Sequence, residues 1–234
     1  MKKKLLAMMM MLAMVLCLAA CGGSGDSEPA EEAADNTAEA AEEQAEPAEE
    51  AAAPEDIIVD KEAGTVTITA QVNGTFFDQS TMHYIVFKDG GVGDKAMMAA
   101  YCDSQDFYNA MIEAGGEPWN TTSDKIKSGE FTDGQKVNIT FTWDGQTEPV
   151  EMVDTLKSDN GAFDVDMRFS GNQANNAECG SGCIACLNSC WAGITSNAAY
   201  GFDAIDSGSV TAYLNDAVMP EDGTNVQATF TLVK

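Results

Sequence analysis

The sequence predicts an α+β domain: one mostly antiparallel, sheet-rich unit with two short helices and a cysteine-rich loop, carried behind a disordered tether. Three observations predict it. First, four stretches alternate apolar and polar residues with a period of two, the mark of strands with one buried face. They are Val66 to Val72, Val137 to Trp143, Phe163 to Phe169 and Val226 to Leu232. Second, one stretch has helical spacing, with Phe107, Ala110, Met111 and Ala114 on one face. Asp103 or Ser104 stands before it as a cap and Gly115-Gly116 ends it. Third, Cys179, Cys183, Cys186 and Cys190 fall in twelve residues as C-x3-C-x2-C-x3-C, between two strand signals.

Residues 1–20 read as a bacterial lipoprotein signal. Lys2, Lys3 and Lys4 precede the apolar run Leu5 to Leu18, and Leu18-Ala19-Ala20 leads into Cys21. The run is shorter than the ~20 apolar residues a spanning helix needs. Cleavage before Cys21 discards Cys17 and leaves Cys21 as the lipidated residue, anchoring the chain to the bilayer on the extracytoplasmic face of the cell membrane.

Residues 21–56 carry the lipidated cysteine and an Ala/Glu-rich tether. From Gly22 to Asp56 there are 13 acidic residues and no basic or aromatic ones. So little apolar surface cannot repay the entropy of ordering, so the segment is expected to be disordered. Its r.m.s. reach is roughly 30–35 Å, more if like charges repel.

Residues 57–234 are long enough for one domain with a sizeable core. Beyond the four alternating stretches, Ile57 to Val59, His83 to Phe87 and Val210 to Leu214 are expected strands, and Lys95 to Tyr101 a helical turn. The domain has 25 acidic against nine basic residues. Such a balance argues against nucleic acid and against docking on anionic lipid, and for a solvated acidic surface. No EF-hand loop, G-x-S-x-G elbow or P-loop spacing is present, and Asp89 to Lys95 reads as a glycine-rich turn.

The four cysteines carry the densest chemistry. Four thiolates suit an iron–sulfur cluster or tetrahedral zinc. Cys183-x2-Cys186-x3-Cys190 has the spacing of the last three ligands of a bacterial ferredoxin run, with Trp191 where proline follows there. Structural zinc sites more often use two separated ligand pairs. Exported proteins use cysteine mainly for cross-links, so two disulfides within the loop are the alternative from another class. The radical-SAM spacing of Cys179-x3-Cys183-x2-Cys186 is set aside, because a small antiparallel domain lacks the barrel of those enzymes. His83, the one histidine, stands on a strand with Ile85 and Phe87 and reads as a structural histidine or a partner of the loop. Cys102 reads as a buried thiol.

Residues Gly182 to Cys190 with Gly193 to Ala198 resemble the signature of the YdjY-type domain. His83 to Phe87, Gly93 to Ala96 and Phe107 to Glu113 are similar to that family too, so the resemblance covers roughly residues 57–234. It implies an exported, ferredoxin-like lipoprotein domain that binds a [4Fe-4S] cluster, and it carries no particular reaction with it. The expectation is therefore an electron carrier, not an enzyme, in which Cys179, Cys183, Cys186 and Cys190 hold the cluster and a membrane-bound or exported redox protein is the partner. The alternative is a non-catalytic binding or envelope-interaction module whose loop is closed by disulfides or structural zinc.

Overall fold

The alternating stretches become the long walls of a closed barrel. The computed structural model describes residues 56–234. The signal segment, Cys21 and the tether except Asp56 lie outside the described residues, and among those described no helix is long and apolar enough to cross a membrane. In chain order the strands are β1 (Ile57–Asp60), β2 (Thr65–Val72), β3 (His83–Phe87), β4 (Met98–Ala100), β5 (Gln135–Thr142), β6 (Val150–Glu151), β7 (Leu156–Lys157), β8 (Met167–Phe169), β9 (Cys183–Cys186), β10 (Thr195–Asn197), β11 (Tyr213–Leu214) and β12 (Asn225–Leu232). The helices are α1 (Ser104–Glu113), α2 (Ser123–Lys127) and α3 (Gln173–Cys179).

Pairing runs β2-β12-β5-β8-β10-β9-β3-β4, and β4 returns to β2 through Ala70↔Ala100 and Val72↔Met98. Eight strands thus close on themselves, with β1 added to β2 and β6 to β5, while β7 and β11 form a separate ribbon. Two pairings, β3/β4 and β9/β10, are parallel; the others in the ring are antiparallel.

The fold class expected from the sequence is therefore corrected. The protein is mostly β, a closed eight-stranded mixed barrel with three small helices, not a mostly antiparallel α+β sheet with two. Alternation tells which face of a strand is buried, not which strand it pairs with. Several ring strands are also too short to show it: β9 and β10 are buried at every position. The expected helical turn over residues 95–101 is instead β4 after a 3-10 turn at Gly93–Lys95. Of the expected Phe163 and Val210 strands, only Met167–Phe169 and Tyr213–Leu214 pair.

Inward-facing side chains fill the barrel, as in other eight-stranded barrels. Val66, Ile68 and Ala70 from β2, Ile139 and Phe141 from β5 and Ala228 and Phe230 from β12 are all nearly or fully buried. Helix α1 forms as expected: the Asp103 side chain accepts from Gln105 N at 2.6 Å, capping the first turn. Its Phe107 packs on Phe230 with ring centroids 4.6 Å apart. Burying such a ring contributes about 2–3 kcal/mol.

Parallel neighbours need a crossover connection. The one from β3 to β4 brings Val92 and Ala96, and the one from β9 to β10 brings Cys190, Trp191 and Ala192, into a second cluster with Val86, Cys183 and Cys186. This cluster is separate from the barrel core.

Candidate metal centre

Residues Cys183 and Cys186 are three apart on one strand, so regular alternation would point them to opposite faces. A bulge prevents this. Adjacent β3 residues Ile85 and Val86 pair with Ala185 and Cys183, so Ile184 is an extra residue on β9. Ile184 and Ala185 both join the barrel core, while Cys183 and Cys186 both face the second cluster. A matching irregularity on β3 lies between His83, paired with Cys186, and Ile85, paired with Ala185. Tyr84 and Ile85 turn into the core, and His83 turns towards the sulfurs. His83 thus does not share a face with Ile85, as its strand position had suggested.

The sulfurs are close. The Cys186 thiol donates to Cys183 Sγ across 3.0 Å, and His83 Nδ1 lies 3.5 Å from Cys183 Sγ. One ligand atom from each of His83, Cys183 and Cys186 lies within 4.8 Å of the others. Cys190 packs in the same buried cluster, outside that group of three ligand atoms. Hydrogen bonds from the Cys183 and Cys186 thiols, and from the amides of Ala192 and Gly193, hold its thiol well below the usual range despite burial. The hydrogen bonds to Cys183 and Cys190, then burial, push the Cys186 thiol well above it. At Cys183, the bond from Cys186 lowers the value, but Cys190 and burial outweigh it and the thiol is raised. Burial also lowers His83, against the opposing pull of Cys190 and Asp206, so the ring is a neutral donor at pH 7.

Side-chain amides fix the loop around these sulfurs. Asn176, 1% exposed, donates to Cys183 O at 3.0 Å and Ala192 O at 2.7 Å, and accepts from Ser104 Oγ at 2.8 Å. Asn172 donates to Cys190 O at 3.1 Å and Asn175 to Trp191 O at 2.8 Å. At the far end, Asn197 donates to Leu187 O at 3.2 Å. With their carbonyls held outward, the amides of Ala192 and Gly193 are free to point at Cys190. Gly193 sits where a Cβ would stand 3.1 Å from Cys186 Sγ and 2.9 Å from Thr195 O, so the chain can pass the sulfur only without a side chain. These asparagines were missed from the sequence, where Asn172 to Asn176 looks like a solvated approach. The one available signal was four side-chain amides, Asn172, Gln173, Asn175 and Asn176, just before the first cysteine of the loop.

Of the four expected cluster ligands, the structure brings together Cys183, Cys186 and Cys190. Cys179 ends α3, is exposed, and its Sγ meets only Asn176 O at 3.6 Å as a hydrogen-bond partner. It nevertheless lines a cavity of about 120 Å³ shared with His83, Cys183 and Cys190 and walled by Met82, Val92, Trp191, Ala192 and Phe202. Cys102 is buried with the barrel core, where desolvation raises its thiol to about 12. The described cysteines are free thiols. Cys21 lies outside the described residues.

The arrangement is a donor set of two thiols and an imidazole at one point, with Cys190 buried in the same cluster beside it. Proteins of this type are known from sequence. The YdjY domain model matches residues 57–231. A relative from Escherichia coli (strain K12), described as "Uncharacterized protein YdjY", is 34% identical over 221 residues, covering 94% of this chain and 93% of that one. No solved structure matches the chain at a significant level. With most of its length matched by the domain model and by that relative, the chain belongs to the YdjY domain family.

Proposed function

We propose that this protein is a lipid-anchored, extracytoplasmic metal-binding protein in which Cys183, Cys186, Cys190 and His83 hold a single thiophilic ion, with zinc the best match. The observation that carries it is the convergence of the Cys183 and Cys186 sulfurs and a His83 ring nitrogen within 4.8 Å of one another, with His83 Nδ1 3.5 Å from Cys183 Sγ and the buried Cys190 in the same cluster. Tetrahedral zinc, with Zn–S about 2.3 Å and Zn–N about 2.0 Å, separates sulfur from nitrogen by about 3.5 Å and two sulfurs by about 3.8 Å. The 3.0 Å between Cys183 and Cys186 therefore has to open by about 0.8 Å, a rotamer adjustment. Three thiolates, one imidazole and Zn²⁺ leave one net negative charge, which the Ala192 and Gly193 amides are placed to stabilise.

A [4Fe-4S] cluster bound by all four loop cysteines fits this geometry less well. A cubane puts each thiolate on a different iron, so its ligand sulfurs stand farther apart than those sharing one ion. Here two sulfurs are 3.0 Å apart and Cys179 is outside the group. The anchor rests on the sequence pattern ending at Cys21.

The test is metal analysis of the full-length chain purified without oxygen. One equivalent of zinc is expected, and cobalt substitution should give the intense visible bands of a tetrahedral thiolate site. Cys183→Ser should abolish those bands and His83→Ala should shift and weaken them. Iron with acid-labile sulfide in similar amount would instead restore the electron-transfer function. Failure to bind any of these metals would remove both.

A further inference from the structure

We infer that Cys179 is the exchange ligand of this centre, and that the protein passes its ion to or from a thiol-bearing carrier through the cavity. The inference rests on the metal-binding function proposed above. A zinc ion that is only structural needs four donors, and a structural site is closed. Here five donors surround one space: His83, Cys183 and Cys186, with ligand atoms within 4.8 Å of one another, and Cys190 and the exposed Cys179, which line the same cavity as His83 and Cys183. A donor in excess of the coordination number is what ligand exchange requires. Zinc can expand to five-coordinate, so an incoming thiolate can bind before a resident one leaves.

The cavity explains why a protein thiol is needed for that step. Its walls are largely Met82, Val92, Trp191, Ala192 and Phe202, and its volume of about 120 Å³ holds only about four waters. A hydrated ion would lose most of its shell on entering such a space, at high cost, unless ligands replace water as it goes. Cys179 provides the outer ligand, and Cys183 and Cys190, which line the same cavity, provide the inner ones. Cys179 is also the outermost donor. It ends α3 and is exposed, whereas Cys183, Cys186 and Cys190 are buried.

The transfer conserves charge and electrons. A carrier thiolate–zinc bond is replaced by a Cys179 thiolate–zinc bond. That bond and the second carrier bond are replaced in turn by bonds to Cys183, Cys186 and Cys190. Counted from the protonated thiols, of the three protons these release in net, two reprotonate the carrier thiolates and one goes to solvent, and Cys179 ends protonated as it began. No oxidation occurs.

The experiment uses the full-length chain and, as donor, a two-cysteine peptide loaded with Zn²⁺. Uptake is followed by stopped flow, and affinity by competition with a chromophoric chelator. Cys179→Ser should slow uptake by at least about tenfold while affinity falls less than about threefold, because a ligand used only in passage is absent from the final coordination. Glu178→Gln, its exposed neighbour, should exchange at the wild-type rate. Wild-type exchange in Cys179→Ser would overturn the relay. So would an affinity loss of about 10–100-fold, which would make Cys179 a resident ligand. Should the wild-type chain take no zinc at all, the metal-binding function itself would fall, a result visible before any variant is made.

Discussion

Replacing Asn176 by alanine tests whether side-chain amides hold the sulfur-bearing loop to the barrel. The cost follows from what each partner loses. Ala192 O, bonded by Asn176 at 2.7 Å, has no other bond in the turn and loop ladder. The buried hydroxyl of Ser104 loses its acceptor at 2.8 Å. Cys183 O loses a donor at 3.0 Å but keeps Ile194 N at 3.2 Å. Two orphaned buried groups at about 1–3 kcal/mol each, and one weakened carbonyl at about 0.5–1, give roughly 3–7 kcal/mol. The assay is urea denaturation of the metal-free chain, followed by near-ultraviolet circular dichroism and by fluorescence. The Asn176→Ala midpoint should fall with unchanged slope. Ser104→Ala alone should cost about 1 kcal/mol, and the double variant should cost less than the two singles combined, because both share one bond. A loss below about 1 kcal/mol for Asn176→Ala would refute the reasoning, since it would mean water replaces the amide at no cost.

Other outcomes follow from the same structure. Tyr84→Phe should cost about 1–1.5 kcal/mol in the same denaturation assay. It deletes a buried bond of 2.5 Å to Thr155 Oγ1 but leaves that hydroxyl donating to Met152 O at 2.6 Å. Gly193→Ala should destabilise by about 1–3 kcal/mol and weaken zinc binding, because the new Cβ meets Thr195 O at 2.9 Å and Cys186 Sγ at 3.1 Å. Cys102 is held neutral by burial, with its thiol raised from 9.0 to about 12. Its contribution is therefore complete below pH 9 and is lost as pH rises towards 12, by about 2 kcal/mol at pH 10.5. Denaturation across that range should show a shallower alkaline slope in Cys102→Ala than in the wild type. In the native metal-free chain, iodoacetamide followed by mass spectrometry should label Cys179 first and Cys102 only on unfolding, since Cys179 is exposed and Cys102 buried.

Much of the barrel wall was legible in the sequence because its long strands bury one face. The alternation in β2, β5 and β12 reports that burial directly. Strands β9 and β10 gave no such signal, being covered by the barrel core on one side and by the crossovers on the other. The cysteine spacing pointed to the loop whose Cys183 and Cys186 stand beside His83, but not to which donors gather there. Position relative to a strand decided that His83 belongs and Cys179 does not, and the deciding features are bulges at β3 and β9. A bulge changes the side a residue faces without any composition of its own, so Ile184-Ala185 reads as an ordinary apolar pair. Asn176 was opaque for a related reason: its partners come from α1 and from sixteen residues downstream, and only the fold brings them together.

The short β2–β4 pairing that shuts the ring has a consequence for self-association. An open sheet ends in rows of unpaired amides and carbonyls, templates on which a second chain can add a strand. Closure removes them from the ring, and among the described residues the sheet edges that remain belong to β1 and β6, four and two residues long, and to the two-residue strands of the β7–β11 ribbon. Copies that collide at high concentration meet only edges of two to four residues, too short to template a lasting added strand.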